Sequence, residues 1–254
     1  MKNFNVLMST EWKEALKELK LVWLSLFFII LGLTQPLINR YMDIILKNVG
    51  GADGITLDPN RPDPTSGEVL LSTFSGQFNQ MGLIVLVISL MGIIMTDKNN
   101  GIQDFIFTRP VSVSSYILSK LISHWMISLV CIIFGGIISY YYTVYLFGPF
   151  SLTKFVVFIL LYSIWILYVI SLIIILSLFL KSSVTVAVIT ILIGMILIVL
   201  KDLNSTLSMI LPSGILKYAE SFLVSSDNTS ALQIISCLIF TALNIYISHL
   251  KIKR

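Results

Sequence analysis

The amino-acid sequence predicts an all-α, polytopic membrane protein. Of its 254 residues, 56% are apolar and only 12% are charged, whereas soluble domains carry about 25% charged residues. The apolar residues form long runs, and a run of about 20 apolar residues can cross a bilayer as a helix. The basic residues lie at the ends of these runs and form no cluster interleaved with aromatic residues, so nucleic acid is not an expected partner.

Six apolar runs are long enough to be transmembrane helices. The predicted spans cover residues 21–39, 78–95, 121–147, 155–180, 184–200 and 231–250. A loop is predicted from 40 to 77, with an interfacial helix as the alternative for its early part, residues 41–46. Residues 201–230 are predicted to form two short amphipathic pieces broken by Pro212 and Gly214. No Asp, Glu, Lys or Arg falls within these spans. Transporters driven by protons or ions usually need such residues inside the membrane.

The N-terminal segment predicts an amphipathic interface helix over residues 1–20, ahead of a six-helix transmembrane domain over 21–254. Its apolar residues recur at helical spacing and are surrounded by charged residues; they are Phe4, Met8, Trp12, Leu16 and Leu19. The charges have mixed sign and no small-residue cleavage site follows the next apolar run, which argues against a signal peptide.

An even number of spans places both termini on the same side of the membrane. That side carries eleven Lys and Arg residues against six on the other side. Because basic residues accumulate in cytoplasmic segments, the asymmetry predicts a multi-pass protein of the cell membrane with both termini in the cytoplasm.

The polar segment between the second and third predicted spans, residues 97–120, predicts a short helix of its own. Ile102, Phe105 and Ile106 fall at positions i, i+3 and i+4 and form a narrow apolar stripe. A short amphipathic helix between two spans is suited to contact a soluble partner.

The limits of this short helix are predicted from residue types at its two ends. Asn99 and Asn100 can begin it. Arg109 and Pro110 end it, because the residue before a proline disfavours the α-helical region. Ser112 can then cap the following span.

Sequence motifs for catalysis or metal binding are absent from the chain. There is no G-x-x-x-x-G-K-[ST] loop for ATP and no H-E-x-x-H motif for zinc. His124 and His249 lie at the ends of spans, where we expect structural roles, and Cys131 and Cys237 are expected to be buried free thiols. The sequence therefore predicts a membrane protein with no catalytic residues and no cofactor of its own.

The polar segment resembles the cytoplasmic loop of ABC-2 type transporter permeases, the transmembrane subunits of bacterial ABC exporters. In that family an acidic residue precedes a glycine by four positions, as Asp97 precedes Gly101 here. A [ST]-x-P-[VI]-[ST] element follows, seen here at Thr108–Ser112, and a lysine begins the next span, as Lys120 does. The sequence departs from the family at Asp97, where a glutamate is usual.

The resemblance implies a permease that rests on a separate nucleotide-binding ATPase subunit and pairs with a second permease, identical or paralogous. ATP and Mg²⁺ would bind on the partner ATPase. The coupling residues it implies are Asp97, Gly101, Ile102, Phe105, Ile106, Arg109 and Pro110. By family analogy the direction is export, and the absence of charge in the spans favours an apolar or amphipathic substrate such as a peptide, lipid or drug.

An alternative of a different class is a non-transporting membrane scaffold or immunity protein, in which the polar segment is only a solvated turn. Small residues in the spans predict close helix contacts, which we expect to serve assembly with the second permease. These residues are Gly32, Gly92, Gly135, Gly136 and Gly194.

Overall fold

A computed structural model describes residues 2–49, 63–109, 111–224 and 231–253 of the chain. Six of its helices are long and apolar enough to cross a membrane, and no strand occurs in the described ranges. The prediction of an all-α polytopic membrane protein with six spans is confirmed.

An N-terminal helix precedes the first span, and three short helices lie between spans. The N-terminal helix is α1 (Lys2–Lys17), and the three short helices are α4 (Ile102–Phe107), α8 (Ser205–Ile210) and α9 (Gly214–Glu220). The spans are α2 (Lys20–Val49), α3 (Ser66–Asn99), α5 (Val113–Phe147), α6 (Leu152–Phe179), α7 (Ser183–Leu203) and α10 (Leu232–Lys253).

The face that α1 turns towards the spans differs from the predicted apolar stripe. Glu11 and Ala15 are buried against α5, with Glu11 only 8% exposed, whereas Leu16 is 56% exposed. Leu19 is also exposed and lies in the left-handed backbone region, with φ of +54°, at the turn into α2. Glu11 pairs with a buried lysine, and this pairing decides which face of the helix points towards the spans, while Leu16 and Leu19 of the predicted stripe point away from them.

The first two spans are longer than the sequence predicted. Helix α2 continues to Val49 and α3 begins at Ser66, so the loop is shorter at both ends than the predicted 40–77. Residues 41–46 are helical, in agreement with the alternative given for them. Residues 50–62 of that loop lie outside the described residues. Thr65 begins α3 with a capping box, in which the Glu68 carboxylate accepts from the Thr65 N–H at 2.7 Å. The prolines that favoured a loop all precede Thr65.

Part of α3 is wound as a π-helix, from Ser72 to Gly82. This stretch carries several polar side chains, and two of them bond to polar residues of α2. Gln77 Nε2 donates to Gln35 Oε1 at 2.8 Å, and Asn39 Nδ2 donates to the Ser72 hydroxyl at 3.0 Å. These uncharged hydrogen bonds join the first two spans near the C-terminal end of α2.

Helix α6 lies at the centre of the bundle and is the most buried span. Its aromatic rings pack on those of α3: the Phe74 ring centroid lies 4.7 Å from that of Phe158 and 5.5 Å from that of Tyr162. The Tyr162 hydroxyl donates to Asn79 Oδ1 at 3.1 Å, so the polar tip of this buried ring has a partner.

Two of the five glycines singled out in the sequence bring α2 and α5 into backbone contact. A Cβ atom at Gly32 would lie 2.2 Å from the Gly135 carbonyl oxygen, and one at Gly135 would lie 2.5 Å from the Phe28 carbonyl oxygen. Gly136 and Gly194 adjoin side chains of neighbouring spans, and Gly92 adjoins Thr96 of its own span. The close contact between helix backbones that these two glycines permit is therefore made within one chain, between α2 and α5.

Charged residues lie in the spans, contrary to the prediction that these would hold none. The helices extend past the predicted limits and include Asp97, Lys120 and Lys201, all of which are buried. Each is paired with an opposite charge. The prediction failed because the predicted spans stopped one or two residues short of these three charges, whereas a paired charge can continue a buried helix.

Side-chain contacts define two ends of the bundle. At the N-terminal end, Ser114 of α5 hydrogen-bonds His249 of α10 at 3.2 Å, and the Lys251 ammonium lies 5.2 Å from the Phe179 ring centroid. At the far end, the Ser66 hydroxyl donates to the Gly148 carbonyl at 2.8 Å. Helices α1 and α4 lie at the N-terminal end, and α8 and α9 lie at the far end.

Candidate functional site

Helix α4 projects at the N-terminal end between the second and third spans. It begins after Gly101, whose φ of +69° places it in the left-handed region, which glycine adopts without steric cost. The prediction that Asn99 and Asn100 begin this helix is wrong, because Asn99 ends the preceding helical segment and Asn100 lies in the turn. Helix α4 ends at Phe107, and the Thr108 hydroxyl donates to the Phe105 carbonyl at 2.7 Å.

The predicted apolar stripe on α4 is divided between two surroundings. Phe105 is 59% exposed and Ile102 is also exposed, whereas Ile106 is half-buried and packs on the core. The sequence interpretation missed Phe107, whose ring centroid lies 5.6 Å from that of Tyr116 in α5. One side of α4 therefore packs on the bundle through Ile106 and Phe107, and the other side exposes Ile102 and Phe105.

Arg109 adds a basic group beside the exposed phenylalanine. Its guanidinium carbon lies 4.9 Å from the centroid of the Phe105 ring, within the range of a cation–π contact. Pro110, the last of the predicted coupling residues, lies outside the described residues.

A buried ion cluster lies immediately before α4 and consists of Glu11, Asp97, Tyr116, Lys120 and His124. The Lys120 ammonium contacts Glu11 Oε1 and Asp97 Oδ2, each at 2.8 Å. The Tyr116 hydroxyl donates to the same oxygen of Asp97 at 2.8 Å. One ammonium thus joins α1, the end of α3 and the beginning of α5.

His124 completes the cluster one turn further along α5. Its Nδ1 lies 2.9 Å from the Lys120 carbonyl oxygen. A carbonyl oxygen only accepts hydrogen bonds, so Nδ1 of His124 carries the proton in this bond. The other ring nitrogen, Nε2, faces Glu11 Oε2 at 3.8 Å. The structural role expected for His124 agrees with this placement.

Burial governs the electrostatics of this cluster. Removal from water raises the pKa of the Glu11 carboxyl above its ordinary value, and the nearby Lys120 ammonium acts in the opposite direction. Two carboxylates share one ammonium, so ionisation of both leaves one negative charge in excess. Removing a single partner from such a cluster is strongly unfavourable, because the remaining charges stay buried without compensation.

Some of this site could have been found in the sequence. Phe4, Met8, Glu11 and Ala15 share one helical face, so the spacing that defined the apolar stripe also includes Glu11. Lys120 and His124 lie four residues apart on α5 and therefore on one side of it. What the sequence could not supply was the contact between α1 and α5.

Among the residues that the structure describes, no group of three or more His, Cys, Asp and Glu side chains is arranged to hold a metal ion. Cys131 and Cys237 are free and buried, as the sequence predicted.

Comparison with known proteins gives a relative and a family. The chain is 34% identical over 172 residues to a Bacillus subtilis (strain 168) protein described as "Uncharacterized transmembrane protein YxlG". This match covers 67% of the chain and 66% of the relative, so the matched part spans about two thirds of the length of each. Residues 60–254, which include α4 and all spans but the first, match a family described as "Protein of unknown function (DUF2705)". The chain therefore belongs to the DUF2705 family.

Proposed function

We propose that this chain is the permease subunit of an ABC-2 type, ATP-binding cassette exporter that is driven by a separate ATPase subunit. The observation that carries the proposal is the exposed Phe105 on α4, a helix that directly follows the end of α3, where buried ions fix α3 to α1 and α5. Aromatic residues, phenylalanine among them, and arginine are enriched in protein–protein interfaces. The exposed pair of Phe105 and Arg109 fits the surface of a soluble partner.

The ion cluster supplies the mechanical part of the proposal. Asp97 precedes Gly101 by four residues and contacts Lys120, which also holds Glu11. A displacement of α4 by the ATPase would therefore reach α5 and α1 together with α3, since all three meet at one ammonium. ATP and Mg²⁺ bind on the partner in this scheme, and the chain contributes no ATPase chemistry.

The cargo proposed is apolar or amphipathic. Although the spans are longer than predicted, their middle parts carry no acidic or basic residue, and the two buried lysines lie towards the ends of α5 and α7. A second permease, identical or paralogous, completes the assembly. Gly32 and Gly135 already contact each other within one chain, so the second permease would contact other surfaces.

The orientation proposed places the N-terminal end of the bundle in the cytoplasm, on the side with the larger number of basic residues. The test uses a variant in which Cys131 and Cys237 are replaced by alanine, with one new cysteine at Asn100 or Lys154, both exposed. We expect an impermeant maleimide to label Lys154→Cys in intact cells and Asn100→Cys only after permeabilisation. The reverse pattern would refute the orientation.

The docking of α4 is tested by the Phe105→Ala variant, purified with the P-loop ATPase that this proposal expects to be encoded next to this chain. Truncation of a residue at the centre of an interface costs about 2 kcal/mol, or about 30-fold in Kd. We therefore expect the ATPase to dissociate at least that much more readily from Phe105→Ala, while the variant inserts and purifies in normal yield. In nanodiscs, the ATPase should then hydrolyse ATP at the same rate with the Phe105→Ala permease as without any permease.

Tyr145→Ala is the matched control, because Tyr145 is an exposed aromatic residue towards the far end of α5. It should bind the ATPase as the parent chain does. Equal ATPase binding by all three proteins would show that α4 is not the docking element. A genome that encodes no such ATPase beside this chain would favour the scaffold or immunity alternative.

A further inference from the structure

A cavity of about 560 Å³ opens at the far end of the bundle, between the π-helical part of α3 and the end of α7. Its polar lining comes from Ser75, Gln80, Lys201 and Asp202, and the apolar wall includes Ile198 and Val199. The cavity lies at the opposite end from α4 and shares no residue with the ion cluster there. It has the mixed lining typical of sites for small amphipathic molecules.

The charges around this cavity do not balance. The Lys201 ammonium lies 2.5 Å from Glu220 Oε1, and the Ser75 hydroxyl donates to the same oxygen at 2.7 Å. Lys201 is therefore already paired, and its side chain is only 4% exposed. Asp202 Oδ1 lies 3.8 Å from the ammonium, at the limit of an ion pair, and the Asp202 side chain is 64% exposed. One carboxylate at the rim of the cavity thus remains without a close cation.

This arrangement of charges favours a positively charged ligand over a negatively charged one. An anion would have to compete with Glu220 for a buried ammonium and would also face Asp202. A cation would meet the Asp202 carboxylate with no basic side chain except the paired Lys201 lining the cavity. A carboxylate as exposed as that of Asp202 attracts a cation only modestly through water, so the apolar wall supplies much of the affinity. Apolar parts of the same ligand could lie on Ile198 and Val199.

We propose that this cavity is a binding site for amphipathic organic cations, in which Asp202 contacts the positive group and the α7 wall contacts the apolar part. The inference stands on the cavity and its charges. It holds whether or not an ATPase docks at the other end of the bundle.

The test measures binding of tetraphenylphosphonium, a lipophilic cation, to the full chain in lipid nanodiscs, with empty nanodiscs as the background. Tetraphenylborate is the matched probe, because it has nearly the same shape and the opposite charge. We expect saturable binding of the cation above the background and no competition by the anion. Asp202→Asn should weaken binding of the cation about threefold, and Asp202→Glu should retain it.

Asp104→Asn is the matched control, because it removes one exposed carboxylate from α4 at the other end of the bundle. It should bind the cation as the parent chain does. The size-exclusion profile of each variant verifies folding. The proposal would be overturned by any of three results: no binding above empty nanodiscs, equal binding of cation and anion, or affinity unchanged in Asp202→Asn.

Discussion

Lys120 at the N-terminal end and Lys201 at the far end are equally buried, with side chains 4% exposed, but they are compensated differently. Lys120 lies between two carboxylates from two other elements, and both of these are themselves buried. Lys201 has one close carboxylate, on the more exposed Glu220, and a distant one on the adjacent Asp202. The first arrangement fixes three elements to one another, whereas the second fixes α9 to α7 and leaves a carboxylate facing the cavity.

The largest effect in this comparison is expected from Lys120→Met. Removing one partner of a buried ion cluster typically costs about 3–5 kcal/mol, because the remaining charges are stranded away from water. We expect a loss of this size in the free energy of unfolding, measured by titration with SDS in mixed micelles and followed by tryptophan fluorescence. Lys98→Met is the control, since Lys98 is exposed and lies next to Asp97. If both variants unfold at the same SDS fraction, Lys120 does not join the three elements.

A smaller effect is expected from Lys201→Met, about 1–2 kcal/mol in the same titration. Glu220 is nearer to solvent than Glu11 and Asp97, and it keeps its hydrogen bond from Ser75, so its carboxylate remains partly compensated. Lys154→Met, which removes an exposed lysine at the same end, should match the parent chain. If Lys201→Met lost as much free energy of unfolding as Lys120→Met, the two buried lysines would not differ in the way proposed.

The sequence predicted the parts of this fold that depend on local composition. Six apolar runs became six spans, and the Ser112 side chain caps α5 by accepting from the Ser115 N–H at 3.2 Å. The short helix between the second and third spans lies where the stripe of Ile102, Phe105 and Ile106 indicated, although only part of that stripe is exposed.

The sequence did not predict the parts that depend on contacts between distant segments. Glu11 and Lys120 are separated by two whole spans, so neither shows by itself that it is buried. The π-helical winding of α3 also left no local sign, because polar residues in it bond to residues of other helices, such as Gln35, Tyr162 and Glu220. Each failure has the same physical origin: a polar residue changes its preferred surroundings once it has a partner.

The backbone contact between Gly32 and Gly135 has a consequence for how motion in this protein can be measured. Two helices that meet without intervening side chains have little freedom to slide or separate, and Lys120 adds α1 to the same unit. Helices α1, α2 and α5 therefore provide a fixed frame of reference. Spin labels or fluorophores placed within that frame should report a constant distance in every state, and a label on α7 or α10 paired with one in the frame should report the movement of the remaining spans.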